Sequence, residues 1–242
     1  MTTPLNDRGA VTCTAEGGGW LTLRRREPAP CETAPAELLR LAETLPGNLR
    51  YATDTAGTFL LGEVRSVDGE SLDVARERLL RFLDEARDPA AAPAPDETIE
   101  AALDGSGLPW SRRASSWSVA VKDRLPRDVL VVPTHGGIRA ESVLVEWDDL
   151  APVCREVLAA FLLAAQVGMR FARCEIDERH ARIVAFAATE QLDAELPHAL
   201  LGVAAGCELL AREAEALLRP EVAEIYLDLR RITPEREDPT QA

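Results

Sequence analysis

The sequence contains very few of the residues that mark several large functional classes. Lysine occurs once, at Lys122, and histidine three times in 242 residues. Acidic residues outnumber basic residues by 41 to 27, so the net charge is -14. Nucleic acids and most membrane surfaces are anionic and bind clustered cations, so this balance argues against both as partners. The densest basic cluster, Arg24 to Arg26, is typical of a solvated strand end.

Long apolar runs and paired cysteines are also lacking. No run approaches 18 uninterrupted apolar residues, which argues against a membrane-spanning helix. Residues 1–8 have no basic-then-apolar signal pattern, so we expect a cytoplasmic protein. The five cysteines form no CxxC pair, which gives no basis for a zinc-ribbon or thioredoxin-type motif and predicts reduced thiols. Cys154 and Cys207 fall in apolar helical stripes, where a thiol packs as a small apolar group.

Motifs for catalysis or cofactor binding are not found either. Gly17–Gly19 precede a strand rather than a helix, and the chain has no GK[ST] motif, so no phosphate loop is indicated. Asp148 and Asp149 could act in acid–base catalysis, but capping of the following helix explains them better. The histidines lie singly, at His135, His180 and His198. We therefore predict no catalytic residue, no metal and no cofactor.

Composition divides the chain at one clear place. Residues 88–95 hold three prolines in eight positions, which is typical of a semi-extended linker. We predict a first unit over 1–87, a second over 96–232, and a flexible polar tail over 233–242.

The second unit alternates helix and strand patterns in the order α-β-β-β-α-β-β-α. Helices are predicted from Asp96, from Asp148 or Asp149 to about Gly168, and from about Leu196 to Leu218. A docked segment containing Tyr226 and Leu227 follows the last helix. The strand patterns are Trp117–Val121, Val129–Val132, Ser142–Trp147, Phe171–Ile176 and Arg182–Ala187.

The first unit repeats the later part of this order. The hairpins are Val11–Thr14 with Trp20–Leu23 and Leu49–Thr53 with Phe59–Val64, and the helices are capped by Thr33 and Ser71. A shift of 123 positions places Asp54 on Asp177, Trp20–Thr22 on Val143–Val145, and Leu38-Leu39 on Phe161-Leu162. We predict an α+β fold of two tandem copies, the first lacking the opening helix and strand. The alternative is a coincidence between two ordinary α+β segments.

Tryptophan is the residue type that points to a binding surface. We predict that Trp20, Trp117 and Trp147 contribute to a protein-binding surface, since exposed tryptophans often anchor a partner. The alternative is that these large rings fill space between a sheet and its helices.

The order of elements over 96–218 resembles the class I type III secretion chaperones (the Tir-chaperone type) and the related YbjN-like proteins. The strand pair Phe171–Ala187 with the helix after it carries most of this resemblance. In the first unit, Leu-Pro-Gly-Asn-Leu (45–49) and Phe-Leu-Leu-Gly-Glu (59–63) are similar to it. The family has no fixed motif, so no functional residue transfers individually.

The resemblance implies an acidic, cytoplasmic, non-enzymatic protein that holds an extended segment of a partner, such as the N-terminal part of a secreted effector. Such chaperones are homodimers that combine strand addition with apolar pockets. Two copies in one chain would make a monomer that mimics this dimer, although a homodimer stays open. The alternatives are a YbjN-like regulatory or structural protein without a secretion role, and an enzyme without a recognisable motif.

Overall fold

The computed structural model describes most of the chain, together with Val74 and Glu77 as single helical positions. The continuous ranges are 11–15, 20–26, 34–45, 47–54, 57–65, 92–122 and 127–232. Within them the protein has an α+β fold with two antiparallel sheets, which confirms the predicted fold class.

The first sheet has four strands in the order β1-β2-β4-β3. A helix, α1 (Pro35–Leu41), connects its two hairpins and buries Leu38 and Leu39. Both predicted hairpins are present, whereas Thr33 and the helix start at Ser71 lie outside the described residues. The strands are β1 (Val11–Ala15), β2 (Trp20–Arg26), β3 (Arg50–Asp54) and β4 (Gly57–Arg65).

The second sheet has six strands in the order β5-β6-β7-β8-β10-β9. Helix α2 (Asp96–Ser106) precedes it, and α3 (Pro152–Ala165) connects β8 to β9. The strands are β5 (Trp110–Arg113), β6 (Ser116–Val121), β7 (Arg127–Thr134), β8 (Gly137–Glu146), β9 (Arg173–Ile176) and β10 (His180–Ala188). Two helices follow them, α4 (Leu192–Leu217) and α5 (Pro220–Ile232).

Several predicted boundaries in this unit were wrong. The edge strand β5 was missed because its Ser-Arg-Arg sequence shows no apolar alternation and is mostly exposed. Strand β8 begins at Gly137, five residues before the predicted start. Helix α3 begins at Pro152 with Ala151 as its N-cap, so neither Asp148 nor Asp149 caps it. Proline is favoured at the first helical position because it has no N–H to satisfy.

The hairpin between β7 and β8 requires its glycines. Gly136 has a φ of 74°, a left-handed conformation that suits a residue without a side chain. A Cβ atom on Gly137 would lie 2.1 Å from the carbonyl oxygen of Ala187 on β10. The turn between β7 and β8 therefore depends on Gly136, and only glycine fits at position 137 next to the neighbouring strand.

The two predicted units share one hydrophobic core. Leu38 and Leu39 of the first unit belong to the same cluster of buried side chains as Ile99, Trp117 and Leu158 of the second. The end of the predicted linker also packs, because Ala94 is buried and Pro93 forms an isolated bridge with His135. The boundary at 88–95 stays a prediction.

Candidate binding groove

Two of the three predicted binding tryptophans lie in the interior. Trp117 and Trp147 are 1% and 2% exposed, so they present no ring face to a partner. The Trp117 indole N–H donates a 3.2 Å hydrogen bond to Glu100. Trp20 begins β2, and its side chain lies outside the described residues. The rings of Trp117 and Trp147 pack between sheet and helices, where burial of a large ring stabilises the fold most.

The residues considered for catalysis are not brought together. His180 lies 3.1 Å from Glu146, next to Arg182, whereas the His198 ring lies 6.2 Å from the Phe171 ring. Within the described ranges, no three His, Cys, Asp or Glu side chains converge as metal ligands would.

Three cysteines occupy the interior as free thiols. Burial raises the pKa of Cys154, and the Glu221 carboxylate raises it further. Burial also raises the pKa of Cys174 well above its usual range, and that of Cys207. These thiols stay protonated at neutral pH, so they behave as apolar core side chains rather than nucleophiles.

A cleft of ≈ 350 Å³ lies between α4 and the segment before β9. We name residues 166–172, between α3 and β9, the second loop. On the helix side, Leu201 and Leu209 are 50% and 58% exposed, although both are large apolar side chains. His198, Gly202, Ala205 and Gly206 complete that wall of the cleft.

A second cleft of ≈ 470 Å³ lies on the other side of the second loop, against one face of the four-stranded sheet. Its lining from the sheet is Thr14, Thr22, Arg24, Phe59, Leu61 and Glu63. Both clefts share Gly168, Met169 and Arg170, so they adjoin each other at the second loop, and we name the two clefts together the groove.

Buried polar contacts fix the second loop in place. Arg50 is fully buried and donates to the carbonyl oxygens of Gln166 at 2.9 Å and Met169 at 2.5 Å. Glu63 binds the same guanidinium at 2.9 Å and accepts the backbone N–H of Phe171 at 3.1 Å. Phe171 has a φ of 55°, which is strained for a residue with a side chain. The surrounding contacts therefore hold the loop in a conformation it would not adopt alone.

Small residues on α4 let the helix approach this loop closely. A Cβ atom on Gly206 would lie 2.9 Å from the Met169 side chain and 3.0 Å from that of Ile183. A Cβ atom on Gly202 would lie 3.1 Å from the carbonyl oxygen of Arg170. The close packing of α4 against the second loop and β10 depends on these two glycines.

The charges in the groove differ from those of the chain as a whole. Arg24 and Arg170 line it together with Glu63, which is already paired with Arg50. Arg24 lies 3.4 Å above the Phe59 ring and forms a 2.6 Å ion pair with Asp54. An acidic protein thus places two guanidinium groups beside an apolar cleft.

Sequence reasoning missed the groove, although one signal was present. Leu201 and Leu209 are large apolar residues outside the predicted apolar stripe of α4, which contains Leu200, Val203, Cys207 and Leu210. Apolar residues on both faces of a helix indicate a second contact surface.

One helical stretch among the described residues, Thr189–Leu217, is long and apolar enough to cross a membrane by length and composition alone. Here it lies against strands of the six-stranded sheet and buries its predicted stripe. No protein-family model matches the chain, and a comparison with curated proteins also finds no match.

Proposed function

We propose that the protein is a non-enzymatic binding protein that holds an extended segment of a partner protein in the groove. The observation that carries this proposal is that two clefts adjoin at the second loop, with Leu201 and Leu209 exposed along the helix side. Single exposed leucines are common on protein surfaces, whereas large apolar side chains gathered in one cleft favour a binding site.

The length of the groove supports an extended ligand. From His198 to Leu209 the α4 wall is about 16 Å long, at 1.5 Å per helical residue. An extended chain rises about 3.3 Å per residue, so this part alone accommodates about five residues. The cleft beside the four-stranded sheet adds room for several more.

The sheet edge next to the groove offers a second kind of contact. Strand β1 pairs only with β2 within the described sheet, and Thr14 of β1 lines the groove. An edge strand can accept main-chain hydrogen bonds from an added strand, while pockets bind alternate side chains. The secretion link and the cytoplasmic location rest on the sequence and stay predictions.

Selection from a displayed library of random linear peptides of about ten residues tests the proposal. We expect enriched peptides to bind the intact protein with alternating apolar residues. The Leu201→Asp variant should weaken that binding by about tenfold or more, because a buried leucine contact becomes a desolvated carboxylate.

Ile225→Asp is the matched control, since Ile225 is 61% exposed on α5 and does not line the groove. Binding should stay within about twofold of wild type in this variant. Equal loss of binding in both variants, or no peptide enriched above the level obtained with Leu201→Asp, would overturn the proposal.

A further inference from the structure

The two sheets contain the same four-stranded arrangement. In the first, β1 and β2 are followed by a helix and then by β3 and β4, and the spatial order is β1-β2-β4-β3. In the second, β7 and β8 are followed by α3 and then by β9 and β10, and the order is β7-β8-β10-β9. Element sequence and spatial order are therefore identical.

The strand register agrees residue by residue. Arg50 pairs with Leu61 in the first sheet. The positions 123 residues later, Arg173 and Val184, pair with each other in the second sheet. Strands β4 and β10 occupy equivalent positions over their full length at the same offset. Because β2 pairs with β4 and β8 pairs with β10, the position structurally equivalent to Trp20 is Gly137, 117 residues later. The sequence superposition of Trp20–Thr22 on Val143–Val145 is thus wrong by six residues.

Contacts between the two arrangements are reciprocal. Asn48 binds the backbone of Phe186, with its amide donating to the carbonyl at 3.2 Å and accepting from the N–H at 3.0 Å. The position equivalent to Asn48 is Phe171, 123 residues later, and the position equivalent to Phe186 is Glu63, 123 residues earlier. Here the Glu63 side chain accepts the backbone N–H of Phe171, so the side chain now belongs to the other member of the pair. Residue i of one copy touches residue j of the other, and j touches i, as in a two-fold interface.

Two buried arginines follow the same rule. Arg50 on β3 donates to carbonyl oxygens of the second loop, as described above. Its equivalent, Arg173 on β9, is 1% exposed and donates to carbonyl oxygens of the loop between α1 and β3. These acceptors are Leu45, Gly47 and Leu49, at 3.2, 3.0 and 2.7 Å.

One side chain bonds to equivalent positions in both copies. The Gln166 amide donates to the carbonyl oxygen of Tyr51 at 2.7 Å and accepts the N–H of Cys174 at 2.9 Å. Tyr51 and Cys174 are equivalent positions, 123 residues apart. Helices α1 and α3 also contact each other directly.

We infer that residues 11–65 and 127–188 form an internal dimer, in which two copies of one β-β-α-β-β unit recognise each other through a two-fold interface that does not need the connecting segment. The interaction surface of each copy consists of its helix–strand loop, its buried arginine and its outer strand, β3 or β9. The partner that this surface fits is the other half of the same chain. The inference does not depend on what occupies the groove.

The test uses the intact protein with a specific protease site inserted within residues 88–91. After folding, the chain is cut, and the fragments are analysed by size-exclusion chromatography with light scattering. We expect both fragments to remain in one complex with the mass of the uncut monomer, 26.3 kDa apart from the inserted site. Separation of the fragments in physiological salt, or a dimer of the uncut chain, would overturn the inference.

Equal effects of equivalent substitutions distinguish a two-fold interface from an ordinary shared core. Arg50→Met and Arg173→Met should each raise the dissociation constant of the cut complex by about tenfold or more, and by similar factors. Arg112→Met is the control, because Arg112 is half exposed and its ion-pair partners, Asp96 and Glu100, and the Trp117 ring beneath it all lie in the same fragment. It should change the constant by less than about twofold.

If these variants fail to fold, Asn48→Ala replaces them, since it removes the two hydrogen bonds to Phe186 without burying an unpaired charge. It should weaken the cut complex measurably. An effect of one arginine without the other, or no effect of Asn48→Ala in a folded protein, would contradict a two-fold interface.

Discussion

The buried ion pair between Arg50 and Glu63 provides the sharpest prediction on stability. Both side chains are almost fully buried, at 0% and 6% exposure, and their charged atoms lie 2.9 Å apart. Glu63→Ala leaves the Arg50 guanidinium without its carboxylate and leaves the Phe171 N–H without its acceptor. A buried charge that loses its partner costs about 3–5 kcal/mol.

We therefore expect Glu63→Ala to lower the free energy of unfolding by about 3–5 kcal/mol at pH 7. Two remaining hydrogen bonds, from Arg50 to the Gln166 and Met169 carbonyl oxygens, limit the loss. Urea unfolding followed by tryptophan fluorescence measures it, because Trp117 and Trp147 are buried and become exposed on unfolding.

Two variants separate the contributions. Glu63→Gln keeps an acceptor for the Phe171 N–H but removes the charge, so its loss should be smaller than that of Glu63→Ala. Arg112→Ala breaks an exposed pair with Asp96 and should cost less than about 1 kcal/mol. If Glu63→Ala lies within about 1 kcal/mol of wild type, the second loop does not depend on this ion pair and the reasoning is refuted.

Three further predictions concern other parts of the fold. Gly137→Ala should destabilise the protein by at least about 1–3 kcal/mol in urea unfolding, because its Cβ would overlap the Ala187 carbonyl oxygen; an unchanged midpoint would show that β8 and β10 can separate. Burial raises the pKa of Asp177, but hydrogen bonds from two backbone N–H groups and the charge of Arg182 outweigh it, so the pKa is lowered overall. This carboxylate therefore stabilises the fold above its unfolded pKa of about 3.9, and the stabilisation is lost as pH falls through the lower folded pKa. Asp177→Asn should thus be less stable by about 1 kcal/mol at pH 6, as solvent screens this partly exposed group, and the difference should shrink below pH 3. Iodoacetamide at pH 8 should label the unfolded chain at every cysteine, whereas mass spectrometry of the native protein should find no label at Cys154, Cys174 or Cys207.

Most helices and strands follow from local patterns in the sequence. The i, i+3, i+7 stripe of α4 and the short apolar runs of β4 and β10, which are buried on both faces, are visible locally in the sequence. Edge strand β5 was missed because it has almost no buried face. The start of α3 was misplaced because an acidic pair resembled a cap while Pro152 at the first helical position decided the boundary.

The groove could not be located from the sequence, because it depends on three segments that are far apart in the chain. Leu61, Met169 and Leu201 line it from a sheet, a loop and a helix. The tryptophans were the stronger local signal for binding, but a tryptophan that fills a core has the same sequence signature as one that anchors a partner. Only the packing of the folded chain distinguishes these two roles of a tryptophan.

The sequence by itself determined the α+β class, the acidic charge and the similar order of elements in the two halves, because these depend on local periodicity and composition. Tertiary structure alone decided which polar residues became interior contacts. Arg50 and Arg173 are ordinary strand arginines in the sequence, yet each is buried against carbonyl oxygens of a loop more than a hundred residues away. A buried guanidinium is stable only where fixed acceptors compensate for its lost hydration, and only the folded chain brings those acceptors to it.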